Sequence, residues 1–256
     1  MYFWISFQID KNMNLHRIIA LIRRIVLQII QDHRSIALII IAPLIIMSLV
    51  GFSFIDKSNI LNTISPALIA SFSLFLTFML TAVSFLRERQ LGTLERLTIT
   101  PVRTFEILIG YLISFCFFAI IQSLIVVFFT IFALGIDYQG EIWQMLLIVL
   151  IVTIVAVNLG ILISTFAKNE FQVIQFIPLI IAPQIFLSGL ILPVSELPSY
   201  FQVIAKIIPL RYAVDCLQGI MLKGNSLNEI SNDLIILSGF GIVFLCLATL
   251  TIKRLK

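Results

Sequence analysis

The chain of 256 residues is 60% hydrophobic and only 12% charged, with a mean hydropathy of +1.12. Soluble domains are about 45–50% apolar and about 25% charged, so this composition excludes an ordinary soluble enzyme, and the apolar excess lies in long runs parted by short polar segments. The formal net charge of +4 says less than the placement of the charges, and three scattered cysteines, Cys116, Cys216 and Cys246, supply no CxxC and no disulfide framework.

Taken in chain order, the N-terminus shows no short apolar core followed by a small-residue cleavage site, so a cleaved export signal is not expected. Residues 15–34 form an amphipathic helix at 100° per residue. Ile18, Ile22, Ile25, Val26 and Ile29 share one side, and Arg17, Arg24, Gln28 and Gln31 share the other. Such a helix either lies at the membrane interface or packs on the periphery of a helix bundle.

Six apolar segments follow, each near the roughly 20 residues that a helix needs to cross about 30 Å of hydrocarbon. The first covers residues 35–55 and contains Pro43. A polar loop at 56–65 leads to the second, 67–86, with Pro66 suited to a helix start. The third runs from 107 to 135, the fourth from 143 to 166, and the fifth from 173 to 192 with Pro178 and Pro183 inside it. A semi-polar stretch at 193–233 includes residues 200–208, too short to cross and better read as an interfacial or re-entrant helix. The sixth span covers 234–251. The expected fold is therefore an all-α integral membrane protein with six spans.

Of the Lys and Arg residues, 13 fall in the N-terminal region, the second-to-third and fourth-to-fifth loops and the tail, and four fall on the opposite side. The positive-inside rule then puts both termini in the cytoplasm.

The chain carries no GxxxxGK[ST] phosphate loop, no HExxH and no GxSxG. His16 and His33 do not cluster with other ligands, so neither a catalytic site nor a cofactor or metal site is expected. The most polar internal segment is residues 87–106, RERQLGTLERLTITPVRTFE. Gly92 breaks or caps a helix there, residues 93–97 form a short potential helix, and Pro101 marks a boundary. The segment reads either as a docking element for another protein or as a loop that orients the spans by charge. Asn158, Gln175 and Gln184 lie inside spans, where amides either bond across helices or line a substrate path. No ionisable residue sits centrally in a span, which mildly favours an energy source on another subunit over an ion-coupled carrier.

Two stretches resemble the membrane subunit of a type-2 ATP-binding-cassette exporter: SFLRERQLGTLERLTITPVRTFEILIGYLI, residues 84–113, and LSGLILPVSELPSYFQVIAKIIPLRYAVDCLQGIMLKG, residues 187–224. The resemblance implies an amphipathic elbow helix within residues 1–34, a six-helix transmembrane domain over 35–256, a cytoplasmic coupling segment at 87–106 and an external re-entrant region at 193–212. It also implies ATPase-coupling roles for Arg87, Glu88, Gly92, Thr93, Glu95 and Pro101. The first, second and fifth spans would supply much of the dimer interface and path, with Asn158, Gln175 and Gln184 as path candidates.

The partners so implied are two cytoplasmic ATPase subunits that bind the ATP, a second permease subunit forming a homodimer, and the lipid bilayer; no nucleic acid is expected. The compact permease suggests a bacterial inner membrane. The expected cargo is drugs or other amphiphiles, with lipid or polysaccharide export as the alternative. An ion-coupled carrier and a non-transporting membrane scaffold are the alternatives of another class.

Overall fold

A computed structural model describes residues 15–54, 58–93, 96 and 104–254, and among these every regular element is helical. The elements are α1 (Leu15–Gln31), α2 (His33–Ser53), α3 (Ser58–Gln90), α4 (Thr104–Phe128), α5 (Ile142–Ser164), α6 (Glu170–Leu187), α7 (Ser199–Ala205), α8 (Pro209–Lys223) and α9 (Ser231–Arg254). A π-helical turn, Phe129–Ala133, prolongs α4.

Among the described residues, five stretches are long and apolar enough to cross a membrane: Asn59–Gln90, Glu106–Ala133, Ile142–Ser164, Glu170–Leu187 and Ser231–Thr251. The remaining expected span forms as α2, within which Ile39–Ser53 is a shorter apolar helix. This is an all-α, multi-pass membrane protein.

Helix α5 sits at the centre. It is apolar all round, and Met145, Ile148, Val152, Val155 and Ala156 are fully buried. Its most extensive partner is α3. The two cross at Gly160, where an added Cβ would lie 2.9 Å from Thr81 Cβ and 3.0 Å from the Phe78 carbonyl oxygen. On the α3 side, Ser73, Thr77 and Thr81 are buried on one helix face with hydroxyls that lack partners. Small side chains there let the two backbones approach closely, as membrane helix pairs require.

Helix α3 has 33 residues, about 50 Å at 1.5 Å per residue. That exceeds the thickness of a hydrocarbon layer, about 30 Å. The expected loop at 56–65 is instead partly the first turns of α3, and Pro66 lies within the helix and not at its start. Asn62 in these turns donates to Asp137 Oδ2 at 3.0 Å, tying α3 to the turn before α5.

The semi-polar stretch 193–233 resolves into α7, at the predicted re-entrant position, and α8, which the sequence reading did not identify as a helix. Helix α8 begins with proline at its first turn. It inserts Leu210, Val214, Leu217 and Ile220 into the main core. The fifth span is also shorter than expected: α6 ends at Leu187, and Gly189 takes a φ of +91° just beyond it.

Helix α1 packs along α4 with Ile18, Leu21, Ile25 and Ile29 buried. Its apolar face thus rests on the bundle, and a break at Asp32 turns the chain into α2.

Candidate functional site

The charged end of α3 organises the site. The second span was expected to stop at Leu86, but α3 continues through Gln90, so Arg87 and Glu88 are presented by a rigid helix. Both arginines of this last turn, Arg87 and Arg89, sit where the helix dipole favours positive charge.

Glu88 has a side chain only 4% exposed. An isolated buried carboxylate is costly unless charge and hydrogen bonds compensate it. Three donors do so. Arg24 Nη2 approaches Glu88 Oε2 at 2.9 Å, and the Tyr111 hydroxyl donates to the same oxygen at 2.6 Å. Gln28 Nε2 donates to Oε1. Arg24 and Gln28 lie four residues apart on the polar face of α1, so both reach one carboxylate. One side chain of α3 thereby ties down α1 and α4. Tyr111 is held in turn by Phe85, with ring centroids 5.1 Å apart, and by Phe115 at 6.0 Å.

Arg87 reaches the other way. Its Nη1 lies 2.8 Å from Asp32 Oδ2 at the α1–α2 break, and its Nε lies 3.0 Å from Glu170 Oε1 at the start of α6. Arg89 Nη1 donates to the Ser164 carbonyl at 2.6 Å, satisfying a backbone acceptor at the end of α5. Gln90 Nε2 donates to the Lys168 carbonyl at 3.1 Å. The link to α6 is itself capped, because the Asn169 side chain accepts the Gln172 N–H at 2.9 Å. Four consecutive residues, 87–90, therefore fasten α1, α4, the end of α5 and the start of α6 to the end of α3.

Gly92 ends this helix. Its φ of +66° belongs to the left-handed region that glycine enters without steric cost. No atom lies within 4 Å of a Cβ built there, so backbone conformation alone calls for glycine. Beyond it Thr93 and Arg96 are helical, and the Arg96 N–H donates to the Gly92 carbonyl at 3.0 Å. Glu95 and Pro101, the other two candidates in this segment, lie outside the described residues.

The three amides expected along a path separate. Asn158 is buried and donates from Nδ2 to the Gly241 carbonyl of α9 at 3.0 Å, the cross-helix role. Gln184 is buried on α6 with Oε1 unpartnered, and Gln175 on the same helix is exposed. Among the described residues no group of His, Cys, Asp and Glu could hold a metal ion.

Sequence reading missed Tyr111, a single tyrosine within an apolar run. It also treated Arg24 and Gln28 only as a polar face. Their spacing of four residues was the available signal, and the buried acid that they meet is 60 or more residues away in sequence.

Comparison with known proteins agrees with this architecture. The family model described as ABC-2 type transporter matches residues 16–222. The "Probable multidrug ABC transporter permease YbhS" of Escherichia coli (strain K12) is 30% identical over 177 residues, covering 69% of this chain and 47% of that protein. The "Probable multidrug ABC transporter permease YbhR" of the same organism is 31% identical over 169 residues, covering 66% and 46%. The "ABC transporter G family member 20" of Dictyostelium discoideum is 27% identical over 172 residues, covering 67% and 24%. The chain thus spans about half the length of the two bacterial relatives.

Proposed function

This chain belongs to the ABC-2 type transporter family, and from that premise we propose that it is the membrane permease subunit of an ATP-driven exporter of drugs or other hydrophobic and amphiphilic compounds. The observation that carries this reading is the network of residues 87–90, which gathers four helices onto the end of α3 beside residues 92–96. A push delivered to that segment reaches α3 directly, α1 and α4 through Glu88, and α6 through Arg87. A loop that served only to orient the spans by charge would need no such fastening.

In this reading residues 1–34 hold the elbow helix, 35–256 the transmembrane domain, 87–106 the coupling segment and 193–212 the external re-entrant region. Arg87 and Glu88 relay motion, Gly92 and Thr93 shape the surface offered to the ATPase, and Glu95 and Pro101 complete it. Gln175 and Gln184 on α6 are the better path candidates, because Asn158 is engaged with α9. ATP is bound and hydrolysed by two cytoplasmic partner subunits, and a second copy of this chain completes the path. The basic end faces the cytoplasm of a bacterial inner membrane, with both termini inside.

Affinity purification of the detergent-solubilised chain from its own cells tests this reading. A co-purifying Walker-motif ATPase, lost when Glu95 and Gly92 are altered in a still-folded protein, is the expected result. A stable, folded chain that retains no ATPase would overturn it in favour of a carrier or scaffold.

A further inference from the structure

Helices α4 and α5 touch at a pair of buried hydroxyls, Ser123 Oγ and Thr153 Oγ1, 3.1 Å apart. Beside that contact lies a groove of about 330 Å³, lined by residues of these two helices alone. Ile120 and Leu124 belong to one wall and Leu146 and Leu150 to the other, and Trp143, 57% exposed, lies farthest along α5 from the hydroxyls. Trp143 precedes Thr153 by ten residues, roughly 15 Å along the helix axis, which is half of a hydrocarbon layer of about 30 Å. Ser164, at the other end of α5, meets Arg89 in the basic cluster. Trp143 therefore belongs to the opposite membrane surface, Thr153 to the mid-depth, and the groove to the leaflet between them.

Its surroundings and its lining name the occupant. Both helices are long and apolar enough to cross a membrane. The exposed residues of α4 that neighbour Ile120 and Leu124 on the helix surface, Phe117, Ile121 and Phe128, are apolar as well. The groove thus opens onto hydrocarbon. Its nine lining residues carry no charge, and the two hydroxyls are hydrogen-bonded to each other, so nothing inside calls for a headgroup or an ion. At the mouth, a tryptophan at headgroup level offers an indole N–H that meets no acceptor among the described residues. A glycerolipid carries its ester oxygens at that level. Helices α2, α3 and α6, the spans that the family resemblance gives to the dimer interface and path, contribute none of the lining.

We infer that this groove is a binding site for one acyl chain of a glycerolipid in the leaflet opposite the basic end, apart from any transport path. The acyl chain lies between Leu124 and Leu150 with its methyl end at the Ser123–Thr153 contact, and its ester oxygen accepts from the Trp143 indole. The site selects by chain and not by headgroup charge. It requires only that the protein span the membrane, with neither transport nor an ATPase.

The protein in phosphatidylcholine nanodiscs, doped with a phosphatidylcholine that carries a photoreactive diazirine in one acyl chain, tests the inference. Adducts on residues 120–124 and 146–150 are expected several-fold above those on Ile235, Ile242 and Val243, exposed apolar residues of α9. Leu150→Trp, which fills the groove, should abolish that excess, and Val243→Trp should leave it intact. Trp143→Phe should lower it at least twofold. A phosphatidylglycerol with the same photoreactive chain should label the groove equally, and a several-fold difference would overturn selection by chain. Native mass spectrometry of the unmutated protein should find one lipid retained per protein chain after detergent extraction. Groove adducts no denser than those on α9 would overturn the site. So would an excess indifferent to Leu150→Trp in a protein with an unchanged size-exclusion profile. A disulfide between two copies carrying Leu147→Cys, absent from the native protein, would show the groove covered by a second copy and would also overturn it. Because the assay contains no ATPase, its failure would leave the permease reading standing.

Discussion

Removing the Tyr111 hydroxyl probes the junction on which the relay depends. Tyr111→Phe keeps the ring and its contacts with Phe85 and Phe115, at 5.1 and 6.0 Å between centroids, and deletes only the 2.6 Å bond to Glu88. A hydrogen bond to a charged group contributes about 1.5–3 kcal/mol, and the buried acceptor loses one of its donors. Glu88→Ala goes further, leaving Arg24, Gln28 and Tyr111 without their shared partner. Breaking a buried pair costs about 3–5 kcal/mol. Arg24 is 37% exposed, so water takes up part of its charge and the lower end of that range is expected. The double variant has no Tyr111–Glu88 bond left to lose and should cost less than the two single losses added, with a coupling energy of about 1–2 kcal/mol. Unfolding in mixed micelles with increasing dodecyl sulfate, followed by circular dichroism, measures all three. Losses that add to within about 0.5 kcal/mol would refute the hub.

Three further outcomes are expected. Gly92→Ala meets no steric obstacle but forces a left-handed φ of +66°, costing about 1–2 kcal/mol locally; size-exclusion yield should hold while ATPase retention falls. Gly160→Ala puts a methyl 2.9 Å from Thr81 Cβ and 3.0 Å from a backbone oxygen, so overpacking of about 1–3 kcal/mol should lower detergent stability, and an unchanged unfolding midpoint would contradict the close α3–α5 crossing. Burial of Asp215 on α8, reinforced by Asp233 and opposed by Arg211 and Lys223, raises its carboxyl above the ordinary 3.8. The folded form therefore favours the protonated acid, and this contribution is lost as pH rises from 3.8 through the raised value. Asp215→Asn should flatten that part of the stability profile, read as unfolding midpoint against pH.

The membrane class and most of the helices were legible because apolar runs of about 20 residues have few other uses. Helix α1 was legible too, from its 100° periodicity, although periodicity left open whether its apolar face met lipid or protein. Helix α8 escaped because Arg211 and Asp215 make the segment look polar. The two pair at 3.6 Å on one face while Leu210, Val214, Leu217 and Ile220 enter the core. The continuation of α3 past Leu86 was hidden for a related reason. Arg87, Glu88 and Arg89 read as loop when taken alone, yet each finds a tertiary partner that keeps it helical. Among the site residues, Arg87, Glu88 and Gly92 were legible from charge, turn chemistry and family resemblance. Tyr111 was not, because its partner lies on another helix and single-sequence reading carries no long-range contacts.

ATP turnover by the reconstituted complex, compared between the native permease and Tyr111→Phe at equal bound ATPase, tests the relay most directly. The account predicts that an exported amphiphile stimulates turnover with the native chain and that Tyr111→Phe blunts this stimulation several-fold while ATPase binding persists. Undiminished stimulation in Tyr111→Phe would contradict a relay through Glu88.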